Sequence, residues 1–326
     1  MRLDATDGDR SIPWGPVIDE VAFKVSGRDV TWRDVIVHAR ATGVWDTLER
    51  ETSEGVALLH AHGSGVPASD EVRIAATEFR YAHNLVAAEE LEAWLERWGL
   101  TVDDWMDHIR RTALRDAFAS GPGSPSPVRS VEPEKVAARI WASAVCSGTL
   151  GHSAWDLAGL LAVSAALTAN GTVVEPARAR AELRRRIVTE EALRTQVQSR
   201  ALDWVRIDSA VLTFAREDAA REGLALLGQD GLTATEVARI AHASLEHRID
   251  YIEDVEEDLK AMLIGSTKGD IFGPFENDGG WRVVVVDDKV PASLDDIEVL
   301  NRAAGSIVER AIQRETDERV VWHGDP

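Results

Sequence analysis

Length and composition set the first limits on this chain. Its 326 residues suffice for two domains, or for one domain with a second inserted, at about 100–200 residues each. Hydrophobic residues make up 44% and charged residues 28%, a composition of folded proteins that excludes disorder over the whole length. The net charge is −20, which argues against a nucleic-acid partner and against docking on an anionic membrane, because both need a basic face.

Local features disfavour secreted, membrane and cysteine-rich proteins. The first ten residues contain no apolar core of a signal peptide. The longest apolar stretch, residues 154–169, is interrupted by Asp156 and is shorter than the roughly 20 residues that span a bilayer. We therefore expect a soluble cytoplasmic protein with no membrane partner. The one cysteine, Cys146, has no disulfide partner, and we interpret it as a small buried residue rather than a nucleophile.

The first half of the chain is predicted to be almost entirely helical. Apolar and polar residues alternate over residues 21–32, which is typical of a short β-hairpin. A Thr with an Asp three positions later then marks the start of a helix over 32–43. A run rich in Gly, Pro and Ser predicts a surface linker over 119–130. Apolar periodicity predicts further helices at 45–118, 133–147, 153–168, 176–187 and 189–203.

The second half contains a compact α+β block of under 100 residues. Its predicted elements are strands at 204–214 and 281–286, helices at 217–227 and 235–245, and a turn at 272–276. A long helix over 294–315 and a terminal strand over 319–323 follow. We expect this strand to pair with residues 21–25, and the long helix to pack on the helices of residues 32–118. The contacts expected of that helix are Ile297, Leu300, Ile307 and Ala311.

A glycine motif precedes the last strand of this block. It consists of Gly269, the pair Gly273 and Pro274, and the pair Gly280 and Trp281, after which four valines follow Arg282. The motif resembles the end of a parvulin-type (PpiC-type) peptidyl-prolyl isomerase domain. Residues 205–212, before the motif, are similar to the first strand of that family. Residues 289–295, after the motif, are similar to its exit segment.

The flanking segments resemble the SurA-type chaperones that carry such domains. Residues 21–33 are similar to their opening strand, and residues 99–105 to one of their helix starts. The resemblance implies an α+β fold with a mainly helical SurA-like domain over 17–202, completed by residues 292–326. A small parvulin-like domain over 203–291 is then inserted before the C-terminal helix.

The catalytic positions that the resemblance implies hold other residues here. In parvulins two histidines face each other across a pocket, with an acidic or thiol group beside them. In this chain the first histidine position holds Ser209, next to Asp208, and the second holds Arg282. The acidic position falls on Asp250, and the proline-gripping aromatic position on Leu259. The resemblance therefore implies that the scaffold is kept and the catalytic constellation is lost.

Three histidines are further candidates for chemistry. We interpret His242 as a packing residue of the helix 235–245, and a displaced catalytic histidine is the alternative. His60 and His62 are candidate metal ligands, but residues two apart do not share a helix face, and no third ligand is near in sequence. The sequence therefore predicts no metal site and no cofactor.

Aromatic and acidic residues are candidate contacts for a peptide. The chain has 11 Trp and 2 Tyr, and three tryptophans are candidates to line an apolar groove, although helical spacing more often indicates a core. These three are Trp32, Trp45 and Trp105. The acidic segment 250–258 forms either a solvated helix face or an acidic surface that attracts basic peptides, with Glu256 and Glu257 as candidate peptide contacts.

Three functions from different classes are consistent with these features. We predict a peptide-binding chaperone or escort with a catalytically degenerate parvulin-like domain, which presents an unfolded or precursor peptide to a maturation enzyme. One alternative is an active isomerase with a rearranged pocket of Asp208, Asp250 and His242. The other is a different enzyme of peptide natural-product maturation, with its active site in the helical region. A pair of titratable side chains in a cleft would indicate such an enzyme.

Overall fold

The computed structural model of the chain describes residues 17–62, 69–119, 132–169, 171, 173–277 and 280–323. The chain divides into two compact units. The helical unit comprises Met1–Arg180 with Ile312–Pro326, and the parvulin-like unit comprises Ala181–Ala311. The N-terminal segment, and the predicted linker from residue 120 onward, lie outside the described residues.

The elements follow one another in a mainly helical α+β order. The first group is β1 (Val21–Val25), β2 (Arg28–Thr31), α1 (Trp32–Ala41), α2 (Val44–His62), α3 (Ser69–Ala82), α4 (Ala88–Arg97), α5 (Val102–Ala119), α6 (Pro133–Cys146) and α7 (Thr149–Ala169). The second group is α8 (Pro176–Ile187), α9 (Glu190–Ser199), β3 (Arg206–Phe214), α10 (Glu217–Gly228), α11 (Ala234–Ala241), β4 (Ser244–Tyr251), α12 (Glu257–Gly265), β5 (Ile271–Asn277) and β6 (Gly280–Val290). The chain then forms α13 (Ile297–Arg319) and β7 (Val320–Trp322). The predicted fold class is confirmed.

The two ends of the described chain meet in a small antiparallel sheet of the helical unit. The order of its strands is β2-β1-β7. Ser26 and Gly27 form the hairpin turn between β1 and β2 with positive φ angles of 49° and 81°. On the other edge, Phe23 lies opposite Trp322, with the two ring centroids 5.1 Å apart. The predicted pairing of the two chain ends is therefore confirmed.

Helix α7 runs through the core of the helical unit. Ala154, Ala158 and Ala162 recur every four residues and are fully buried, so small side chains form its packed face. With 21 residues it is longer than the predicted apolar stretch, and by length and composition alone it would suit a membrane-crossing helix. The core helices of folded proteins meet the same criteria, and α7 packs among the core residues of the unit.

A four-stranded antiparallel sheet forms the centre of the parvulin-like unit, with the order β4-β3-β6-β5. Helices α10 and α11 cover one face of the sheet, where Leu212 and Phe214 of β3 are buried. Helix α12 packs on the opposite face, where Leu263 lies in a cluster with Ile207 and Val286. We call this second face the α12 face.

Two elements of this unit differ from the prediction. The helix predicted over 235–245 ends at Ala241, and residues 244–251 form strand β4. The segment predicted as a turn at 272–276 lies within strand β5. Strand β4 was missed because its side chains are mostly exposed, so it lacks the apolar alternation that marks a half-buried strand.

The packing predicted for the C-terminal helix differs from the structure in part. Ile297 is 71% exposed, whereas Val299 and Ala303 are buried with residues of the parvulin-like unit. The last part of α13 belongs to the helical unit, where Ile312 lies against Gly159 of α7. Ala311 is buried, so the exposed Ile297 is the predicted contact that is wrong. The last part of the helix meets α7, which lies outside residues 32–118.

Candidate functional site on the parvulin-like sheet

The glycine motif shapes the sheet at β5 and β6. Gly273 and Gly280 have φ angles of 127° and 141°, which side chains rarely adopt. A Cβ on Gly273 would lie 2.7 Å from the carbonyl oxygen of Arg282, and one on Gly280 would lie 2.1 Å from that of Phe214. These two glycines are therefore required by close backbone approaches between strands.

The two positions that correspond to the family's histidines lie on the same face of the sheet but not opposite each other. Ser209 pairs with Val286, and Arg282 pairs with Thr213. Because strand residues alternate between faces, Ser209 and Arg282 both point to the α12 face. They are offset by four residues, which corresponds to about 13 Å along the strands. The structure therefore does not bring these two side chains together.

Arg282 is held in an ion pair with the residue that precedes α12. Its Nη2 donates to Oε2 of Glu256 at 3.1 Å, and the Arg282 side chain is 15% exposed. A guanidinium stays protonated and has no acceptor, so Arg282 cannot take or relay a proton as an imidazole does. The second histidine position thus carries a fixed, paired positive charge.

The two aspartates of the predicted pocket lie apart from each other, and each forms an ion pair with an arginine. Asp208 accepts from Nε of Arg206 at 3.0 Å, and Asp250 accepts from Nη2 of Arg248 at 3.2 Å. This hydrogen bond, which Arg206 donates to Asp208, also raises the pKa of Arg206. The register places Asp250 opposite Ile207, on the α12 face, and Asp208 opposite Ile249 on the other face. The predicted pair of carboxylates is therefore not assembled.

Leu259 and His242 have roles other than those predicted. Leu259 of α12 packs against the buried cluster that joins α12 to the sheet, so it is used in packing. His242 ends helix α11 in the left-handed conformation, with φ at 52°, and its side chain is exposed. The interpretation of His242 as a packing residue is therefore wrong.

The histidines of α2 have no metal-binding neighbours among the described residues. His60 is exposed, and the side chain of His62 lies outside the described part. In the same part, no group of three or more His, Cys, Asp or Glu side chains could hold a metal ion.

The three tryptophans proposed as groove residues are buried in the core of the helical unit. Trp32 and Trp105 are each 5% exposed and Trp45 is 1% exposed. Trp32 packs on Trp98 at 5.0 Å between ring centroids, and Nε1 of Trp45 donates to Glu49. The prediction of a tryptophan-lined groove is wrong, because a peptide cannot reach side chains that are packed between helices.

The acidic segment is partly neutralised within its own unit. Glu253 and Asp254 form a short 3₁₀ helix with Ile252, and both bind Arg302. Arg302 also lies over the ring of Tyr251, at 4.3 Å from its centroid. Together with the pairing of Glu256 described above, this leaves Glu257 as the most exposed carboxylate among the described side chains of the segment, 89% exposed and 3.8 Å from Lys260. The segment is therefore not a single solvated helix face.

Strand β4 presents an unpaired edge. It is the outer strand of the sheet, and β3 is its only partner among the described strands. Its residues 246–249 are exposed, and Ile249 is 67% exposed. An edge strand with free backbone groups can receive an extended peptide as an additional strand, and exposed side chains then select its sequence. We call this surface the β4 edge.

Sequence reasoning missed a group of buried polar residues in the helical unit. His108 and Arg111 of α5 are 8% and 3% exposed, and both line a cavity with Cys146 of α6. A signal was present, because His108 shares the helix face of Trp105 and Ile109. Cys146 is 4% exposed, and burial raises the pKa of its thiol to about 12. The interpretation of Cys146 as a buried residue is confirmed.

Comparison with known proteins finds likeness in structure only. No family model matches the chain, and no curated protein is significantly similar in sequence. PrsA from Bacillus subtilis is 12% identical, with a TM-score of 0.24 over 92% of this chain and 91% of PrsA. The peptidylprolyl isomerase PrsA from Bacillus cereus is 10% identical, with a TM-score of 0.27 over 92% and 91%.

A third solved structure is one of the two SurA-like chaperones PEB4 and Cj1289 of Campylobacter jejuni. It is 10% identical, with a TM-score of 0.21 over 93% of this chain and 98% of that one. These three solved structures are thus two PrsA proteins and one SurA-like chaperone.

Proposed function

We propose that this protein is a peptide-binding chaperone or escort whose parvulin-like unit holds a peptide without isomerising it. The observation that carries this proposal is the ion pair of Arg282 with Glu256, at the position where the resemblance implies a catalytic histidine. The proposed compartment is the cytoplasm, and the proposed client is an unfolded or precursor peptide.

The loss of catalysis follows from the chemistry of the pocket positions. Rotation about an X–Pro bond has a barrier of about 18–20 kcal/mol, which a catalyst must lower with groups placed around the twisted amide. Ser209 is 6% exposed and lies four residues out of register with Arg282. Asp208 and Asp250 are each paired with an arginine. None of these side chains is both free and positioned beside another to act on the amide.

The β4 edge supports the binding part of the proposal. Backbone hydrogen bonds to an edge strand supply affinity that depends little on sequence, which suits a protein that holds extended chains. Glu246 and Arg248 precede the exposed Ile249 along this strand, so the edge offers both charged and apolar contacts. Charged side chains on an edge also oppose pairing between identical copies.

The finer form of the proposal is that the client is a basic precursor peptide, presented to a maturation enzyme. Its support is electrostatic. The net charge of −20 attracts cationic segments over a range of about 10 Å at 0.1 M salt, and the exposed Glu257 lies near the α12 face. A titration of precursor peptides encoded beside this gene, with a basic peptide of scrambled sequence as control, would test it. Equal affinity for both peptides would contradict the finer form.

Catalysis is tested by a direct isomerisation assay on X–Pro peptides. We expect no rate enhancement by the wild-type protein, with an active parvulin as the positive control. Catalysis comparable with that control, and abolished by Asp208→Ala or His242→Ala, would overturn the proposal and favour the rearranged isomerase.

Binding is tested with a fluorescently labelled unfolded peptide and matched exposed isoleucines. We expect Ile249→Ser to weaken binding at least fivefold and Ile297→Ser, which is 71% exposed on α13, to leave it unchanged. Hydrogen exchange of the complex should show added protection in residues 244–251. Equal affinities of the two variants, with no added protection in that strand, would refute binding at the β4 edge.

A further inference from the structure

The helical unit contains a cavity that the proposed peptide site does not use. Its volume is about 530 Å³, and residues of α2, α3, α5 and α6 line it. This volume lies within the range of about 300–1,000 Å³ that is common for small-molecule sites. Part of its wall is apolar, with Leu48, Ala75, Phe79 and Ile109.

Three buried polar atoms on residues of this cavity have no hydrogen-bond partner in the described part of the chain. They are Oγ1 of Thr52, Nδ1 of His108 and Nη2 of Arg111. The three residues are only 2%, 8% and 3% exposed. Buried polar groups in folded proteins are almost always paired, so three unpaired groups around one cavity indicate that a bound molecule completes them.

The charges at the inner end of the cavity favour an anion. Nε of Arg111 donates to Asp107 at 2.9 Å, and its Nη1 donates to Ser143 at 3.0 Å. Asp107 is shared, because Nε of Arg139 also donates to it at 3.1 Å. Asp107 is thus divided between two guanidinium groups, so it does not fully neutralise the buried Arg111. Burial lowers the pKa of His108 to about 3, so its imidazole is neutral at pH 7 and adds hydrogen-bonding capacity without charge.

The carboxylates at the outer part of the cavity do not neutralise this charge. Glu51 lies 3.4 Å from Arg115 in an ion pair of its own. Glu78 and Asp116 are exposed to solvent, which screens their charges. A carboxylate of a ligand is therefore favoured beside Arg111, with Thr52 as a second donor.

We propose that this cavity binds a small molecule, or the end of a chain, in which one carboxylate is attached to an apolar group. The carboxylate accepts hydrogen bonds from Nη2 of Arg111 and Oγ1 of Thr52, and the apolar group packs on Phe79 and Leu48. A free carboxylic acid and the C-terminal residue of a peptide share this chemistry. The site lies in the helical unit and is independent of the β4 edge.

The experiment uses the full chain and two pairs of probes in calorimetric titrations. The first pair is N-acetyl-phenylalanine and its amide, and the second is a hexapeptide that ends in phenylalanine with a free or an amidated C-terminus. We expect the free carboxylate to bind at least tenfold more tightly than the amide in one or both pairs. Binding of the small acid assigns the site to small molecules, and binding of the peptide acid alone assigns it to chain ends.

Variants connect that binding to the cavity. We expect Thr52→Val and Arg111→Met to weaken binding of the free acid at least threefold and tenfold. Because Arg111→Met breaks a buried ion pair and so destabilises the fold, Ala75→Phe provides a second test: it fills the cavity and leaves the polar groups in place. Its control is Ile74→Phe at an exposed neighbouring position. Equal binding of acid and amide, absence of binding at millimolar concentrations, or full binding by a folded Ala75→Phe variant would overturn the proposal.

Discussion

Two pairs of engineered histidines would test the strand register at the pocket. The first pair, Ser209→His with Arg282→His, restores the residues that the family resemblance implies. The second pair, Thr213→His with Arg282→His, follows the register of the structure, in which Thr213 and Arg282 are opposite each other. We expect only the second pair to behave as two interacting imidazoles, because only its side chains are neighbours.

The magnitude of the difference follows from the two separations. Opposite residues in an antiparallel pair lie about 5 Å apart, whereas an offset of four residues is about 13 Å. At an effective dielectric constant near 20, which suits these largely buried positions, two positive charges repel by about 3 kcal/mol at 5 Å and about 1 kcal/mol at 13 Å. Salt weakens the second value further, because the distance exceeds the screening length of about 10 Å at 0.1 M.

The assay is proton NMR of the imidazole resonances as a function of pH. We expect the second pair to titrate in two separated steps, with one pKa well below the other, and the first pair to titrate as two nearly independent groups. The first pair should also remain inactive in the X–Pro assay. Thermal unfolding of each variant controls for loss of the fold. Strong coupling in the Ser209 pair, with none in the Thr213 pair, would refute the register and the argument built on it.

Three further predictions concern stability in urea unfolding. Gly280→Ala should lower the free energy of unfolding by about 3 kcal/mol through a backbone clash at positive φ, while Gly265→Ala, which meets no atom within 4 Å, should change it by less than about 1 kcal/mol. Arg302→Gln should cost about 1–2 kcal/mol, and less at high salt, because it breaks ion pairs at a side chain that is 22% exposed. His108→Leu should remove a dependence of the free energy of unfolding on pH. The pKa of His108 is about 3 in the folded protein and 6.5 in the unfolded chain, so the wild-type protein loses stability as the pH falls through this window. The expected loss is about 2 kcal/mol at pH 5. An unchanged slope of stability with pH in the His108 variant would show that this group does not cause it.

The sequence predicted those parts of the fold in which a short segment has its own pattern of apolar residues on one face. The hairpin at Gly27 and the terminal strand at Val320–Trp322 have short β-rich patterns at the ends of a helical unit, and each needs a partner. The capping box of Thr31 with Asp34 fixed the start of α1. Strand β4 could not be predicted in this way, because both of its faces carry exposed residues and no period remains to be detected.

The candidate site could be predicted only in part, because a motif gives residue types and not register. The sequence identified Ser209 and Arg282 as replacements, which a family pattern can do by counting. It could not show that β3 and β6 pair with these residues four positions apart, or that Glu256 binds Arg282. That pairing runs without a shift from Ser209 to Phe214, and an irregularity that nothing in the sequence marks displaces only the residues before Ser209.

The tryptophans and the cavity show what the sequence could not predict about helix faces. Helical periodicity tells which residues share a face, and it does not tell whether that face meets another helix, solvent or a ligand. Trp105 and His108 share one face of α5; the first packs beside Phe79 in the core, and the second lines the cavity. Polarity separates the two cases by degree. Nε1 of Trp105 is also buried without a partner among the described residues, but most of the indole surface is apolar and is satisfied by packing. A buried imidazole or guanidinium is mainly polar and requires partners. A titratable residue inside an apolar helical stripe, such as His108, is therefore a better sequence marker of a binding cavity than an aromatic residue in the same stripe.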